Sequence, residues 1–180
     1  ELYIHIPFCV RKCNYCDFLS FPADEDTQRQ YVKALCKEIF YYGAHCRDYV
    51  VSTVYIGGGT PSWLWESDMA EIMDAVHKNF ALLPDAEVSV ECNPGTVTAQ
   101  KFAVYRQSGI NRISLGLQSA QNVELKMLGR IHTWEQFLKT YELARSGGFS
   151  NINVDLMSSL PGQHIETYAD SLQKDRKSTR

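Results

Sequence analysis

Five short apolar runs, each followed by a stretch with helical periodicity, constrain the fold of this chain most strongly. The runs end at glycine, proline, asparagine or other polar residues, as strands commonly do. A regular succession of strands and helices predicts a parallel sheet with right-handed crossovers. Nothing in the 180 residues marks an internal domain boundary. The sequence therefore predicts an α/β fold with strands at residues 2–6, 50–56, 87–92, 112–117 and 151–156.

Two helix starts carry the pattern of a capping box. In this pattern a Ser or Thr side chain and a Gln or Glu three residues later each accept a hydrogen bond from the other's backbone N–H. The pairs are Thr27 with Gln30 and Thr133 with Gln136. We therefore expect one helix to begin after Thr27 and another after Thr133.

Three cysteines within eight residues are the most chemically informative part of the sequence. Cys9, Cys13 and Cys16 follow the first strand with the spacing C-x3-C-x2-C. Thiolates are soft ligands suited to zinc, copper(I) and iron–sulfur clusters, and three cysteines on a 4Fe–4S cluster leave one iron open. Two other interpretations stay open: a structural zinc site with His5 as the fourth ligand, and three unrelated buried thiols.

The longer string around the cysteines, YIHIPFCVRKCNYCDF at residues 3–18, resembles a known family. C-x3-C-x2-C after a first strand is similar to the signature of the radical S-adenosylmethionine (SAM) superfamily. The flanking HIPFC and CDF resemble its branch of oxygen-independent coproporphyrinogen III oxidases and HemW heme chaperones. The resemblance implies a 4Fe–4S cluster on Cys9, Cys13 and Cys16. It also implies SAM at the open iron, cleaved to a 5′-deoxyadenosyl radical by one electron from the cluster.

The same resemblance implies an open, partial (β/α)6 radical SAM barrel of parallel strands. Because five β/α units can be counted, we expect a chain truncated after about five units, without the sixth strand of family members. The expected organisation is a radical SAM core domain at residues 1–172, incomplete on its C-terminal side. Residues 173–180 do not resemble the family and are expected to be a disordered or artefactual tail.

Chemically suggestive residues follow the predicted strands, where the loops of parallel barrels build active sites. The segment 57–61 reads GGGTP, and glycines let a backbone approach a ligand closely, although a simple turn is the alternative. Glu91 ends a buried strand, where a carboxylate needs a partner; a helix-capping or surface role is the alternative. Arg130 has a forked guanidinium that suits a carboxylate, with a surface salt bridge as the alternative.

The resemblance assigns these residues to the methionyl end of SAM. Gly58, Gly59 and Thr60 would contact the part that carries the amino group. Glu91 would bind the ammonium, and Arg130 would bind the carboxylate.

Further residues are assigned to the nucleoside part of SAM and to its surroundings. The resemblance implies that Gln118 and Asp155, at the ends of the fourth and fifth strands, bind the ribose hydroxyls. Tyr3 and Tyr15 flank the cysteine loop and would cover SAM or the cluster, unless they are simply packed. The family usually has glycine where Ser159 stands, so we expect a more restricted loop after Asp155.

Two functions within the family fit the sequence, and the residues after the third cysteine separate them. The oxidase motif has a further cysteine, C-x3-C-x2-C-x-C, where this chain has Asp17 and Phe18. We therefore favour a HemW-like heme chaperone, for which SAM cleavage is expected and decarboxylase activity is not. The alternatives are an oxygen-independent coproporphyrinogen III oxidase, which yields protoporphyrinogen IX, and a structural zinc-binding module.

Charge, apolar runs and cysteine count indicate which partners and which cellular compartment to expect. With 18 basic and 21 acidic residues the net charge is −3, so no basic excess indicates nucleic-acid binding. Because the sequence contains no apolar run of about 18 residues, we expect no membrane span, and we expect no signal peptide. Six cysteines, three of them in the triplet, favour a reducing, cytoplasmic compartment. The resemblance implies as partners SAM, porphyrin or heme, and an electron donor such as flavodoxin or ferredoxin, with heme as a ligand of the full-length protein.

Overall fold

The computed structural model describes residues 1–178 of the chain. Strands and helices alternate along it as the sequence predicts, and a 3-10 turn, Pro61–Trp63, follows the second strand. In chain order the elements are β1 (Leu2–Ile6), α1 (Glu25–His45), β2 (Val50–Gly58), α2 (Glu66–Asn79), β3 (Ala81–Cys92), α3 (Ala99–Gln107), β4 (Arg112–Gln118), α4 (Asn122–Met127), α5 (Trp134–Ser146), β5 (Asn151–Leu156) and α6 (Ile165–Ser178).

The five strands form one parallel sheet in the order β1-β2-β3-β4-β5. The sheet is not closed, because β1 pairs with β2 and β5 pairs with β4, and within residues 1–178 neither has a second neighbour. This arrangement confirms the predicted α/β class and the open, partial barrel. Three strands are longer than predicted: β2 continues to Gly58, β3 begins at Ala81, and β4 includes Gln118.

The two faces of the sheet differ in polarity, because successive side chains point to opposite faces. The apolar face is buried together with apolar side chains of α1, α2, α3 and α5 in a single core. The polar face carries predicted site residues near the carboxyl ends of the strands. There the register places Glu91 beside Ser114 and Gly116 beside Asp155. Buried strand residues of the apolar face include Ile4, Ile6, Val54, Ile56, Val88, Val90, Ile113 and Leu115.

One of the two capping-box predictions is wrong and the other is confirmed. α1 is capped by Asp24, whose carboxylate accepts a hydrogen bond from the backbone N of Thr27 at 2.8 Å. Asp is a preferred N-cap residue, and its charge also suits the positive end of the helix dipole. At α5 the Thr133 N donates to Gln136 Oε1 at 2.9 Å, and the Gln136 N donates to Thr133 Oγ1 at 3.4 Å, as the sequence predicts.

The last helix differs from the expected tail. α6 continues through Ser178, so residues 173–178 are helical where disorder was expected. An ion pair of i,i+4 spacing, Lys174 Nζ to Asp170 Oδ2 at 2.7 Å, lies on this helix and favours its continuation. Residues 179 and 180 lie outside the described residues, and the domain boundary at residue 172 stays a prediction. No helix between residues 1 and 178 combines the length and the apolar composition that a membrane span requires.

Candidate functional site

The cysteine loop after β1 and the carboxyl ends of β2 to β5 surround one cavity. Parallel strands bring their carboxyl ends to the same edge of a sheet, so residues that are distant in the sequence meet there. Every predicted site residue except Tyr3 lines this cavity: Cys9, Cys13, Tyr15, Cys16, Gly58, Gly59, Thr60, Glu91, Gln118, Arg130 and Asp155. Side chains without a predicted role join them, among them Arg11, Lys12, Cys92, Asn93 and Ser114.

The cysteine loop is anchored at its base and at its middle. The Cys9 N donates to Phe21 O at 3.1 Å. Asn14 donates from its backbone N and from Nδ2 to two carbonyls at the end of α4, at 2.9 and 2.8 Å. The thiol of Cys9 is buried, and those of Cys13 and Cys16 are partly exposed; all three are free. The fold therefore presents three thiols from one anchored loop to the cavity.

The GGGTP loop contacts the cysteine loop directly. Gly59 N donates to Ile6 O at 2.8 Å, and Thr60 N donates to Phe8 O at 2.7 Å. A Cβ on Gly59 would lie 2.7 Å from Phe8 O and 3.0 Å from Cys9 Sγ, so this close approach requires glycine. The Thr60 hydroxyl donates to Cys9 Sγ at 3.4 Å. The loop after β2 thus hydrogen-bonds a predicted cluster ligand.

Glu91 is held by two hydrogen-bond donors. Its Oε1 accepts from the Tyr55 hydroxyl at 2.7 Å, and its Oε2 accepts from Gly58 N at 3.0 Å. Gly58 has φ 115°, a conformation that glycine adopts readily. Burial, reinforced by the Glu91 carboxylate, raises the pKa of Tyr55, so this hydroxyl remains a donor. Among the described residues no basic side chain forms an ion pair with Glu91.

Arg130 is likewise surrounded by neutral groups. Its Nη2 donates to Asn93 Oδ1 at 2.6 Å and to Gly116 O at 2.7 Å. Its Nη1 donates to the Tyr15 hydroxyl at 3.4 Å and to Cys13 Sγ at 3.8 Å. The Nε is buried without a partner, and no carboxylate of residues 1–178 pairs with the guanidinium. Among the charged residues that line the cavity, Glu91 and Arg130 are partly buried without an ion pair, whereas Arg11, Lys12 and Asp155 are exposed.

The ends of β4 and β5 place a carboxamide and a carboxylate at the cavity. Gln118 has φ 70°, and the register between the two strands shifts beside it. Asp155 Oδ2 accepts from Ser114 Oγ at 3.1 Å, and its Oδ1 accepts from Asn153 Nδ2 at 2.7 Å. In the following loop Ser159 has φ 61°, a left-handed conformation that costs a residue with a Cβ about 1 kcal/mol. Serine thus occupies the backbone conformation for which glycine is suited.

Tyr3 is the predicted site residue that the fold does not bring to the cavity. Its ring stacks on Tyr55 with centroids 6.3 Å apart, and its hydroxyl contacts His5 Nδ1 at 2.9 Å. Conversely, Tyr55, Asn93 and Ser114 support predicted site residues and were not identified from the sequence. Each lies on or directly after a strand that carries a predicted site residue, and that position is the signal that could have found it.

The donor set at the cavity fits a cluster better than a single zinc ion. Among residues 1–178 no three His, Cys, Asp or Glu side chains converge tightly enough to hold one metal ion. In a 4Fe–4S cluster each cysteine ligates a different iron, so its sulfurs need not meet at one point. Both ring nitrogens of His5 are engaged, Nδ1 with Tyr3 and Nε2 with Leu19 O at 3.1 Å. Three thiols on one anchored loop therefore suit three-cysteine ligation, for which Cys9, Cys13 and Cys16 stay the predicted ligands.

His132 near the cavity predicts a pH-dependent stability. It is 3% exposed, and burial together with the Arg130 charge lowers its pKa to about 3. In the unfolded chain the pKa is about 6.5, so below pH 6.5 the unfolded state binds a proton that the native state excludes. We expect the free energy of unfolding to fall by about 2 kcal/mol between pH 7 and pH 5 through this residue. Urea unfolding at both pH values measures the loss.

The His132→Phe variant is expected to lack that part of the pH dependence. An identical pH dependence in the native chain and in His132→Phe would contradict this account.

Comparisons with known proteins point to the same superfamily that the cysteine spacing resembles. Residues 3–174 match the Radical SAM superfamily. The heme chaperone HemW of Escherichia coli is 41% identical over 175 residues, which are 97% of this chain and 46% of that protein. HemW of Bacillus subtilis is 36% identical over 173 residues, 94% of this chain and 45% of that protein.

A solved structure is similar over almost the same range. The coproporphyrinogen III oxidase HemN of Escherichia coli, described as a radical SAM enzyme, superposes with a TM-score of 0.91 at 30% identity. The match covers 98% of this chain and 41% of HemN. The chain thus spans less than half the length of these three proteins. Because the family match extends over nearly all its residues, the chain belongs to the radical SAM superfamily.

Proposed function

We propose that this chain is the cluster- and SAM-binding part of a heme chaperone of the HemW type. In this proposal Cys9, Cys13 and Cys16 hold a 4Fe–4S cluster, which supplies the electron for reductive cleavage of SAM. The observation that carries the SAM site is the pair of partly buried charges without an ion pair, Glu91 and Arg130, in the cavity that the three thiols line.

The two charges complement a zwitterion. A desolvated charge without a partner is costly, and pairing it with an opposite charge restores much of the lost solvation energy. A ligand that carries one ammonium and one carboxylate would pair with Glu91 and with Arg130 at the same time. The methionyl group of SAM has both charges, and the forked guanidinium suits its carboxylate.

The other cavity residues suit the remaining parts of SAM. Gln118 and Asp155 offer a carboxamide and a carboxylate that hydrogen-bond hydroxyls, as the ribose requires. The backbone of Gly58, Gly59 and Thr60 lies close to the cavity, where it is proposed to contact the methionyl end. Tyr15 lines the cavity and, with Tyr3 further out, is proposed to cover the cofactors.

The heme chaperone is favoured over the oxidase by two observations. The HemW relatives are 36% and 41% identical to this chain, compared with 30% for HemN. Asp17 and Phe18 stand where the oxidase motif has a further cysteine. Coproporphyrinogen III oxidase remains the second candidate, because HemN superposes with a TM-score of 0.91.

The proposed partners follow from this choice. They are SAM, porphyrin or heme, and an electron donor such as flavodoxin or ferredoxin that reduces the cluster. Heme is proposed as a ligand of the intact protein. A cytoplasmic location is proposed because free thiols persist in a reducing compartment, and all six cysteines of this chain are free.

Heme binding and porphyrinogen turnover distinguish the two candidates. The intact protein, reconstituted anaerobically with iron and sulfide, is expected to bind heme and to leave coproporphyrinogen III unchanged in the presence of SAM and a reductant. Heme binding is measured by optical titration, and the porphyrin products are measured by chromatography. Protoporphyrinogen formation would assign the protein to the oxidases. Binding of zinc without sulfide would exclude both candidates.

A further inference from the structure

Asn93 links the two halves of the cavity through one carboxamide. It lies directly after β3 and lines the cavity. Its Oδ1 accepts from Arg130 Nη2 at 2.6 Å, and its Nδ2 donates to Thr60 Oγ1 at 2.8 Å. Thr60 Oγ1 in turn donates to Cys9 Sγ at 3.4 Å. A continuous series of hydrogen bonds therefore joins the guanidinium to a cysteine of the predicted cluster site.

The donors and acceptors fix the direction of these bonds. Arginine has donors and no acceptor, so the amide atom that faces Arg130 must be the oxygen, and the NH2 group must face Thr60. Because Thr60 Oγ1 accepts from Asn93, its own hydrogen is free to point to Cys9 Sγ. The orientation of the carboxamide thus sets the direction in which the Thr60 hydroxyl donates.

A buried network holds Asn93 from the other side. Its backbone N donates to Ser62 Oγ at 3.0 Å, and its carbonyl accepts from Thr96 Oγ1 at 2.8 Å. The Ser62 and Thr96 hydroxyls lie 2.6 Å apart. Lys101 Nζ, itself buried, donates to the carbonyls of both residues at 2.8 and 3.1 Å. Asn93 therefore sits on a support of satisfied hydrogen bonds that restricts its orientation.

We propose that Asn93 is a positioning residue for both cofactors. It keeps the Thr60 hydroxyl hydrogen on the Cys9 sulfur, and it holds Arg130 without neutralising it. The inference rests on the proposed function, in which Cys9 ligates the cluster and Arg130 binds the SAM carboxylate. Hydrogen bonds to cluster sulfurs tune the reduction potential; a donor stabilises the more negative, reduced cluster and so raises that potential. A neutral amide also leaves Arg130 free to attract an anion, whereas a carboxylate at the same place would compete with it.

The Asn93→Asp variant tests both parts of this proposal with little change of shape. The new carboxylate can only accept, so the Thr60 hydroxyl turns towards it and Cys9 loses its donor. We expect the equilibrium for one-electron reduction of the reconstituted cluster to become about tenfold less favourable, a shift of about 59 mV. We also expect SAM affinity, measured by anaerobic calorimetric titration, to fall at least tenfold because Arg130 is already paired.

A cycle of variants at Thr60 separates the hydrogen bond from the added charge. Thr60→Val removes the donor and should lower the potential, whereas Thr60→Ser keeps the hydroxyl and should retain the native potential. In the Thr60→Val background only the charge effect of Asn93→Asp remains. The shift in reduction potential that Asn93→Asp causes should therefore be smaller there than in the native chain. If Asn93→Asp fails to fold, as judged by thermal melting, the two Thr60 variants alone test whether the hydrogen bond from the Thr60 hydroxyl to Cys9 raises the reduction potential.

The outcomes distinguish this inference from the function on which it rests. A native chain that takes up no cluster or binds no SAM overturns the proposed function and the inference together. If the native chain binds cluster and SAM, but Asn93→Asp shifts the reduction potential equally in the native and Thr60→Val backgrounds, the role of Asn93 alone is overturned. Equal reduction potentials in Thr60→Val and Thr60→Ser would also overturn the role of Asn93.

Discussion

Replacing any one of Cys9, Cys13 or Cys16 by alanine is expected to abolish the cluster. The native chain, reconstituted anaerobically, should contain about four irons and four sulfides, and each variant should contain close to none. The loss should be complete because each cysteine ligates a separate iron, and three protein ligands leave no replacement. Chemical analysis of iron and acid-labile sulfide, together with the visible absorption of the cluster, measures the result.

Cys92 provides a demanding control for this prediction. It also lines the cavity, but it is 2% exposed, and burial raises the pKa of its thiol to about 12. Metal ligation requires the thiolate, so Cys92 should not replace a missing ligand, and Cys92→Ala should keep the native iron content. A triplet variant that retains four irons, or a Cys92→Ala variant that loses them, would contradict the assigned ligands.

The sheet could be predicted from the sequence because its central strands are locally apolar and their turns are locally marked. β4 and β5 were predicted almost to the residue for that reason. The start of β3 was not predictable in this way. Pro84 and Asp85 disfavour a strand locally, yet Ala81 and Leu82 pair with Val50 and Val51 before the register shifts. Pairing with a neighbouring strand overrides the local signal at this point.

The helix start at Asp24 shows a second limit of local patterns. Thr27 and Gln30 fit a capping box by type, but Asp24 precedes them and is also a favoured N-cap residue. The sequence permits both starts. The fold selects the earlier one, which adds a turn to α1, and Val32, Leu35 and Ile39 of that helix are buried in the core.

The candidate site was predictable where function is carried by residues adjacent in sequence. The cysteine triplet, GGGTP and Glu91 all stand directly at strand ends. The residues that hydrogen-bond the predicted site residues were not predictable, since their contacts depend on the strand register. Ser114 reaches Asp155 because β4 and β5 are neighbours in the sheet. Asn93 is followed by Pro94 and Gly95, a pattern typical of a turn, which concealed the role of its carboxamide.

Arg130→Ala is expected to weaken SAM binding by well over tenfold while cluster content stays native. Of the basic residues that line the cavity, Arg130 is partly buried, whereas Arg11 and Lys12 are exposed. Removing one partner of a desolvated charge pair typically costs about 2–5 kcal/mol. Anaerobic calorimetric titration of SAM into the reconstituted chain measures the loss. Glu91→Gln should also weaken binding, because the neutral amide cannot pair with the ammonium.

Two further arginine variants isolate the reason for the loss. Arg130→Lys keeps the charge but not the fork that matches a carboxylate, so its affinity should lie between those of the native chain and Arg130→Ala. Arg47 is exposed, and Arg47→Ala should leave SAM affinity unchanged, since an exposed charge outside the cavity contributes little.

A purely structural role of Arg130 predicts a different set of results. Its contacts with Asn93, Gly116 and Tyr15 join the cysteine loop to the ends of β3 and β4. If these contacts were its whole contribution, Arg130→Ala would lower the melting temperature and the iron content, and Glu91→Gln would not weaken SAM binding. The zwitterion site requires the opposite: native iron, and a loss of SAM affinity in both variants. Unchanged affinity in Arg130→Ala with intact cluster would remove Arg130 from the site.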